Sequence, residues 1–204
     1  MAHADQISQD LLPVIDRRVA TRLRRLAGKK AFVPPGAEIT LGDSFTLWML
    51  GAENVAAAAH GDWPDLLQLA RPLDRWHHQI RIDGKARAFF HSAPSRDSAT
   101  SALFISPMAA GIDKAFAWIQ KTVREDFLVR LLEAPAYHVV AFWIIDESKN
   151  NSQVLLINSL VKFKPGNKKL ITSREFLDAL HSKGHLGGVL SPGDETTRRD
   201  RPSR

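Results

Sequence analysis

Residues 76–91 read Trp-His-His-Gln-Ile-Arg-Ile-Asp-Gly-Lys-Ala-Arg-Ala-Phe-Phe-His, and their alternation about Gly84 makes them a β-hairpin. Ile82-Asp83-Gly84 suits a three-residue loop, with Gly84 in the left-handed conformation that a bulge requires. In that register Arg81 faces Lys85, Ile80 faces Ala86, His78 faces Ala88 and Trp76 faces Phe90. One side of the ribbon is then Trp76, His78, Ile80, Ala86, Ala88 and Phe90, which packs. The other is His77, Gln79, Arg81, Lys85, Arg87 and Phe89, which is wet and basic.

Upstream, Leu12, Ile15, Val19, Leu23 and Leu26 recur at steps of three and four, the stripe of an amphipathic helix over 11–27. Asp10 is its expected cap, Gly28 its stop, and Val33-Pro34-Pro35-Gly36 separates it from the rest of the chain. A strand is expected near Phe45–Met49, a helix over Glu53–His60 and a short helix over Asp65–Arg71 ended by Pro72. Downstream, Ala102–Ile105 reads as a short strand. Ser106-Pro107 opens a helix, with a capping hydroxyl before a proline in the first turn. That helix buries Met108, Ile112, Ala115, Phe116 and Ile119. Thr122-Val123-Arg124-Glu125 has capping-box form and predicts a second helix burying Phe127, Leu128, Leu131 and Leu132, closed by Pro135.

Tyr137–Ile145 and Gln153–Asn158 are apolar on both faces of the strand period, as central strands covered on both sides are. Pro165-Gly166-Asn167 is a turn, and Thr172-Ser173-Arg174-Glu175 is a further capping box opening a helix through His181. From Gly184 the chain is rich in glycine, proline and arginine without periodicity, the pattern of a disordered tail. The expected fold is α+β: a single antiparallel sheet with packed helices. Residues 1–36 form a basic helical arm and linker, 37–186 the α+β domain, and 187–204 the tail.

At 204 residues and 44% hydrophobic, the chain can bury a full core. With no cysteine, disulfides, thiolate nucleophiles and iron–sulfur clusters are excluded. No apolar run reaches the roughly 18 residues of a membrane span, and no secretory signal is read at the start, so a cytoplasmic protein is expected. The net charge is +6, and residues 1–36 carry seven Lys/Arg against three acids. Residues 37–186 are nearly neutral, with 17 against 16. The excess therefore belongs to the arm, where Arg18, Arg22, Arg25 and Lys29 step along one face and Arg17 and Arg24 flank it. Six such contacts to phosphates would give a log–log salt slope of roughly −5. No aromatic interleaves with them, so base stacking is not expected.

Phosphate-loop, dinucleotide, nucleophile-elbow and HExxH motifs are all absent, and neither a cofactor nor a metal is expected. His78, with His138 as its partner, is the candidate general base in a sheet-lined pocket, against the plainer reading of a satisfied core histidine. His181 and His185 have helical ligand spacing, interrupted by Gly184. His77, Gln79, Arg81, Lys85 and Arg87 form a candidate anion-binding face, although alternating polar residues are also the default solvent face of an edge ribbon. The sequence thus favours a non-catalytic protein that binds a macromolecular partner (another protein or a second copy) through its basic helix. The alternatives are a nucleic-acid binder using helix and hairpin together, and an enzyme acting on a small anion.

Overall fold

The computed structural model describes residues 2–4, 12–27, 33–58, 65–93, 104–123, 127–149, 151–159 and 170–183. The hairpin is present and longer than expected: β3 runs Arg71–Ile82 and β4 runs Lys85–Ser92. Its loop has two residues rather than three. Asp83 (φ 49°) and Gly84 (φ 70°) both take positive φ, the conformation of a type I′ turn, for which Asp-Gly is a favoured pair. The bulge lies further along, where Ile80 pairs with Ala88 and Arg81 with Ala86, leaving Arg87 as the extra residue. Beyond it the register is two residues from the expected one, with His78 opposite Phe90 and Trp76 opposite Ser92. A slip of two preserves the faces, so Trp76, His78, Ile80, Ala88 and Phe90 still share a side. Ala86 does not; it joins Phe89 and Ala109 on the other.

Among the described residues the sheet has nine strands. β2 (Ile39–Met49) runs antiparallel to β3 and, through Leu47–Met49, parallel to β6 (Leu128–Ala134). β7 (Val139–Asp146), β8 (Asn151–Ser159) and β9 (Leu170–Thr172) continue antiparallel. β5 (Phe104–Ile105) closes the far edge beside β4, and β1 (His3–Ala4) pairs parallel with the start of β6. The spatial order is β5-β4-β3-β2-β6-β7-β8-β9. The sheet is therefore mixed, correcting the purely antiparallel expectation. Two strands that enter the sheet side by side in the same direction need a long crossover, and here it comprises everything from residue 50 to residue 127.

β6 also replaces the second helix expected after Thr122. Val129 and Leu131 pack on one side, Leu132 and Ala134 on the other. A short run apolar on both sides fits a buried strand as well as a helix by periodicity, and pairing with β2 and β7 decides between them. Of the proposed capping box, residues 124–126 lie outside the described residues.

Among the described residues, five helices cover the sheet: α1 (Leu12–Ala27), α2 (Ala52–Ala58), α3 (Leu66–Leu69), α4 (Pro107–Thr122) and α5 (Ser173–Lys183). α3 is shorter than expected, and Arg71 already belongs to β3. The Ser106 hydroxyl accepts from the Met108 N–H at 3.2 Å, with Pro107 in the first turn. The Thr172–Glu175 capping box is closed reciprocally: the Thr172 N–H donates to Glu175 Oε2 at 2.7 Å, and the Glu175 N–H to Thr172 Oγ1 at 3.1 Å. The expected turn at 165–167, the tail at 187–204 and the cap and stop residues Asp10 and Gly28 lie outside the described residues.

Among the described helices, α4 covers one face. Its Ile112, Phe116 and Ile119 pack on Phe45, Leu131, Phe142 and Ile144, and Phe45 meets Phe116 and Phe142 edge-on, each with ring centroids 4.9 Å apart. The opposite face carries two separate cores. Val55, Leu66, Phe176, Leu177 and Leu180 of α2, α3 and α5 pack on Leu132, Trp143 and Ile145. Ile15, Val19 and Leu23 of α1 pack on Ile80, Ile82, Ala88 and Phe90. Between these two cores lies an open strip of sheet. No helix among the described residues is long and apolar enough to cross a membrane.

Candidate functional site

The basic helix is docked on the hairpin. Its described apolar side chains, Ile15, Val19 and Leu23, are buried against the inner side of the ribbon, while Arg17 and Arg24 are exposed. The side chains of Arg18, Arg22 and Arg25, and all of Lys29, lie outside the described residues. Ser44, His78, Trp76 and Thr46 belong to the same sheet face as this helix.

The other side of the ribbon is not wet. His77 is 0% and Gln79 1% exposed, because α4 lies over that side and brings Ala109 against Ala86 and Phe89. Arg81 is half-buried and held between two carboxylates, Asp43 at 3.0 Å and Asp113 of α4 at 2.8 Å. The bulge in β2 between Leu41 and Ser44 turns Asp43 toward Arg81. Gly42 sits in it because a Cβ there would come 3.1 Å from the Cβ of Gln79. The hydrogen bond to Asp113 raises the Arg81 pKa. Burial raises that of Asp43, outweighing the attraction of Arg81. Of the anion-binding candidates His77, Gln79, Arg81, Lys85 and Arg87, only Lys85 and Arg87 are exposed. Arg81, His77 and Gln79 thus face α4, whereas Lys85 is registered opposite Ile82, whose side chain packs on α1.

His78 is fully buried between two hydroxyls, with Nδ1 2.9 Å from Ser44 Oγ and Nε2 2.6 Å from Ser92 Oγ. Its ring stacks on Phe90 at 4.5 Å. Burial, helped by His91, lowers its pKa to about 3, so the ring is neutral near pH 7. With both nitrogens occupied and no exposed surface, it has the setting of a core histidine. His138 is exposed at φ 51°, after the one-turn 3-10 helix joining β6 to β7, and β2 and β6 intervene between its strand and that of His78. The structure does not bring the two together.

His77 Nδ1 lies 3.2 Å from His91 Nε2. Burial lowers both pKa values, that of His91 to about 4. No group of three or more His, Asp or Glu that could hold a metal occurs among the described residues. His181 is exposed in the last turn of α5; His185 lies outside the described residues.

Sequence reasoning missed a groove in the open strip between the two cores. It is a hollow of about 250 Å³ lined by Thr46 and Trp48 of β2, Asp74, Arg75 and Trp76 of β3, and Arg130 of β6. β3 is irregular there: Thr46 pairs with Trp76 and Trp48 with Pro72, so three residues of β3 span one of β2. Asp74 takes φ 48°, a left-handed conformation uncommon outside glycine. The Arg130 guanidinium lies 4.2 Å from the Trp48 ring centroid and 5.5 Å from that of Trp143. The one available signal was Pro72, two residues before Asp74 in a strand-like stretch, which marks a bulge or an edge. A second hollow, about 210 Å³, lies at the start of α5, where the Ser152 hydroxyl donates to Asp65 Oδ1 at 3.3 Å and also meets the Ser173 hydroxyl.

Compared with protein-family models, curated proteins and solved structures, the chain has no match.

Proposed function

We propose that this chain is a non-catalytic binding protein whose helix α1 docks an acidic surface of another protein. The observation that carries the reading is the orientation of α1. Burial of Ile15, Val19 and Leu23 on the hairpin leaves Arg17 and Arg24 outside. Residues 12–27 hold five arginines against one aspartate. A helix whose Ile15, Val19 and Leu23 are already packed offers a partner charge rather than an apolar seam, which favours an acidic protein over a coiled-coil-like second copy. Duplex nucleic acid is less well served, because, of the hairpin's polar and basic positions, His77 and Gln79 are buried and Arg81 is engaged by Asp43 and Asp113, which leaves Lys85 and Arg87 to extend the patch.

The test is binding of the full chain and of an Arg17→Glu/Arg24→Glu variant to poly-L-glutamate and to duplex DNA at low salt. Both positions are exposed, so the variant's stability is expected within about 0.5 kcal/mol of the parent. The parent is expected to bind polyglutamate in preference to DNA, and the variant to lose at least about tenfold in affinity. Equal binding by parent and variant, or none by the parent, overturns the proposal. Tighter binding to DNA transfers the surface to a nucleic-acid partner.

A further inference from the structure

The α4 side of β3 carries polar groups that packing alone does not satisfy. His77, Gln79 and Arg81 follow one another along that side, and the first two are fully buried. Both carboxamide atoms of Gln79, Arg81 Nε and His77 Nε2 are buried, and no group among the described residues hydrogen-bonds them. Buried polar atoms in folded proteins are nearly always paired, either with protein or with ordered water. Two of these residues, Gln79 and Arg81, also share a neighbour that makes room beside them.

That neighbour is Gly42, on the β2 bulge between Leu41 and Ser44. A Cβ on Gly42 would stand 3.4 Å from Arg81 Nε and 3.1 Å from the Cβ of Gln79, so the space that a larger residue would fill adjoins both side chains. The residues that β4 and α4 bring to this side, Ala86 and Ala109, are short as well.

Three properties select what binds there. The occupant both donates and accepts, because the carboxamide offers a donor and an acceptor whereas Arg81 Nε offers only a donor. It is uncharged, because the guanidinium is already matched by two carboxylates, Asp43 at 3.0 Å and Asp113 at 2.8 Å. It is no larger than a few heavy atoms, because the room is that of a missing side chain. Water has all three properties.

We infer that the space beside Gly42 is a binding site for ordered water, which links Arg81 Nε to the Gln79 carboxamide between the β2 bulge, β3 and α4. Arg81 then fastens three elements together: its Nη2 holds Asp43 of β2 and Asp113 of α4, and the water ties its Nε back to Gln79 of β3.

The test is rotating-frame cross-relaxation between solvent water and the side-chain N–H protons of the full chain, in which direct contact and proton exchange have opposite signs. Contact peaks are expected at the Gln79 carboxamide and at Arg81 Nε–H; their absence from both overturns the site. In Gly42→Ala the added methyl takes the space, so both peaks are expected to vanish, and peaks that persist overturn the placement. Gln79→Met, similar in length, is expected to lower the folded-to-unfolded ratio in urea about fivefold, the loss of one satisfied hydrogen bond. A carboxamide without a partner predicts the reverse, because replacing an unpaired buried polar group by an apolar one removes its desolvation cost; a rise in that ratio overturns the proposal.

Discussion

Acidification should destabilise this protein through His78, and the size of the effect is set by its surroundings. In the unfolded chain an imidazole titrates near the ordinary 6.5; in the fold His78 titrates at about 3. Between those values the unfolded state binds the extra proton, so stability is complete above about pH 6.5 and falls as the pH drops toward 3. Each pH unit in that window removes up to about 1.4 kcal/mol, and going from neutrality to about pH 5 removes roughly 2 kcal/mol through this residue alone. His77 and His91 are shifted the same way by burial and steepen the loss. The assay is urea unfolding at about pH 7.5 and pH 5, comparing the parent with His78→Gln, whose amide keeps a donor and an acceptor for Ser44 and Ser92. The variant is expected to lose roughly 2 kcal/mol less stability than the parent over the same interval. An identical loss in both would refute a sealed, neutral His78. If His78→Gln does not fold, the parent's imidazole resonance answers the same question: a midpoint near 6.5 refutes it.

Three further outcomes rest on the packing. Leu23 of α1 is fully buried against the hairpin, so Leu23→Ala should cost about 2–5 kcal/mol in urea unfolding; a change below about 0.5 kcal/mol would mean that α1 does not pack there. Gly84 holds φ 70° in the hairpin turn with open space around its Cα, so Gly84→Ala should lose about 1–2 kcal/mol from backbone strain alone, measured the same way. Thr172→Ala removes the hydroxyl that caps α5 and should cost about 1 kcal/mol, with amide exchange rising first at Glu175, whose N–H it holds.

The parts legible in the sequence are those fixed by near neighbours. Asp83-Gly84 marked the turn, Ser106-Pro107 the start of α4, Thr172 and Glu175 the cap of α5, and the spacing of Ile15, Val19 and Leu23 the buried side of α1. The errors came where distant segments decide. Leu128–Ala134 is apolar on both sides, and only its pairing with β2 and β7 makes it a strand. His77 and Gln79 alternate like solvent-facing residues, yet α4, joined to the hairpin through residues 93–106, covers them. The groove was illegible for the same reason: Trp48, Trp76 and Arg130 come from three strands and meet only through the parallel β2–β6 pairing and the irregular β2–β3 register. His78 was legible as a core histidine, but the two serines that satisfy it, 34 residues before and 14 after, were not.

With Ile15, Val19 and Leu23 held by the hairpin, the proposed docking of α1 runs through its arginines. The most direct test is therefore the salt dependence of poly-L-glutamate binding to the full chain, measured from about 50 to 200 mM salt. The prediction is an affinity that falls steeply over that range and ends near the level of Arg17→Glu/Arg24→Glu. An affinity unchanged by salt would contradict electrostatic docking through this helix.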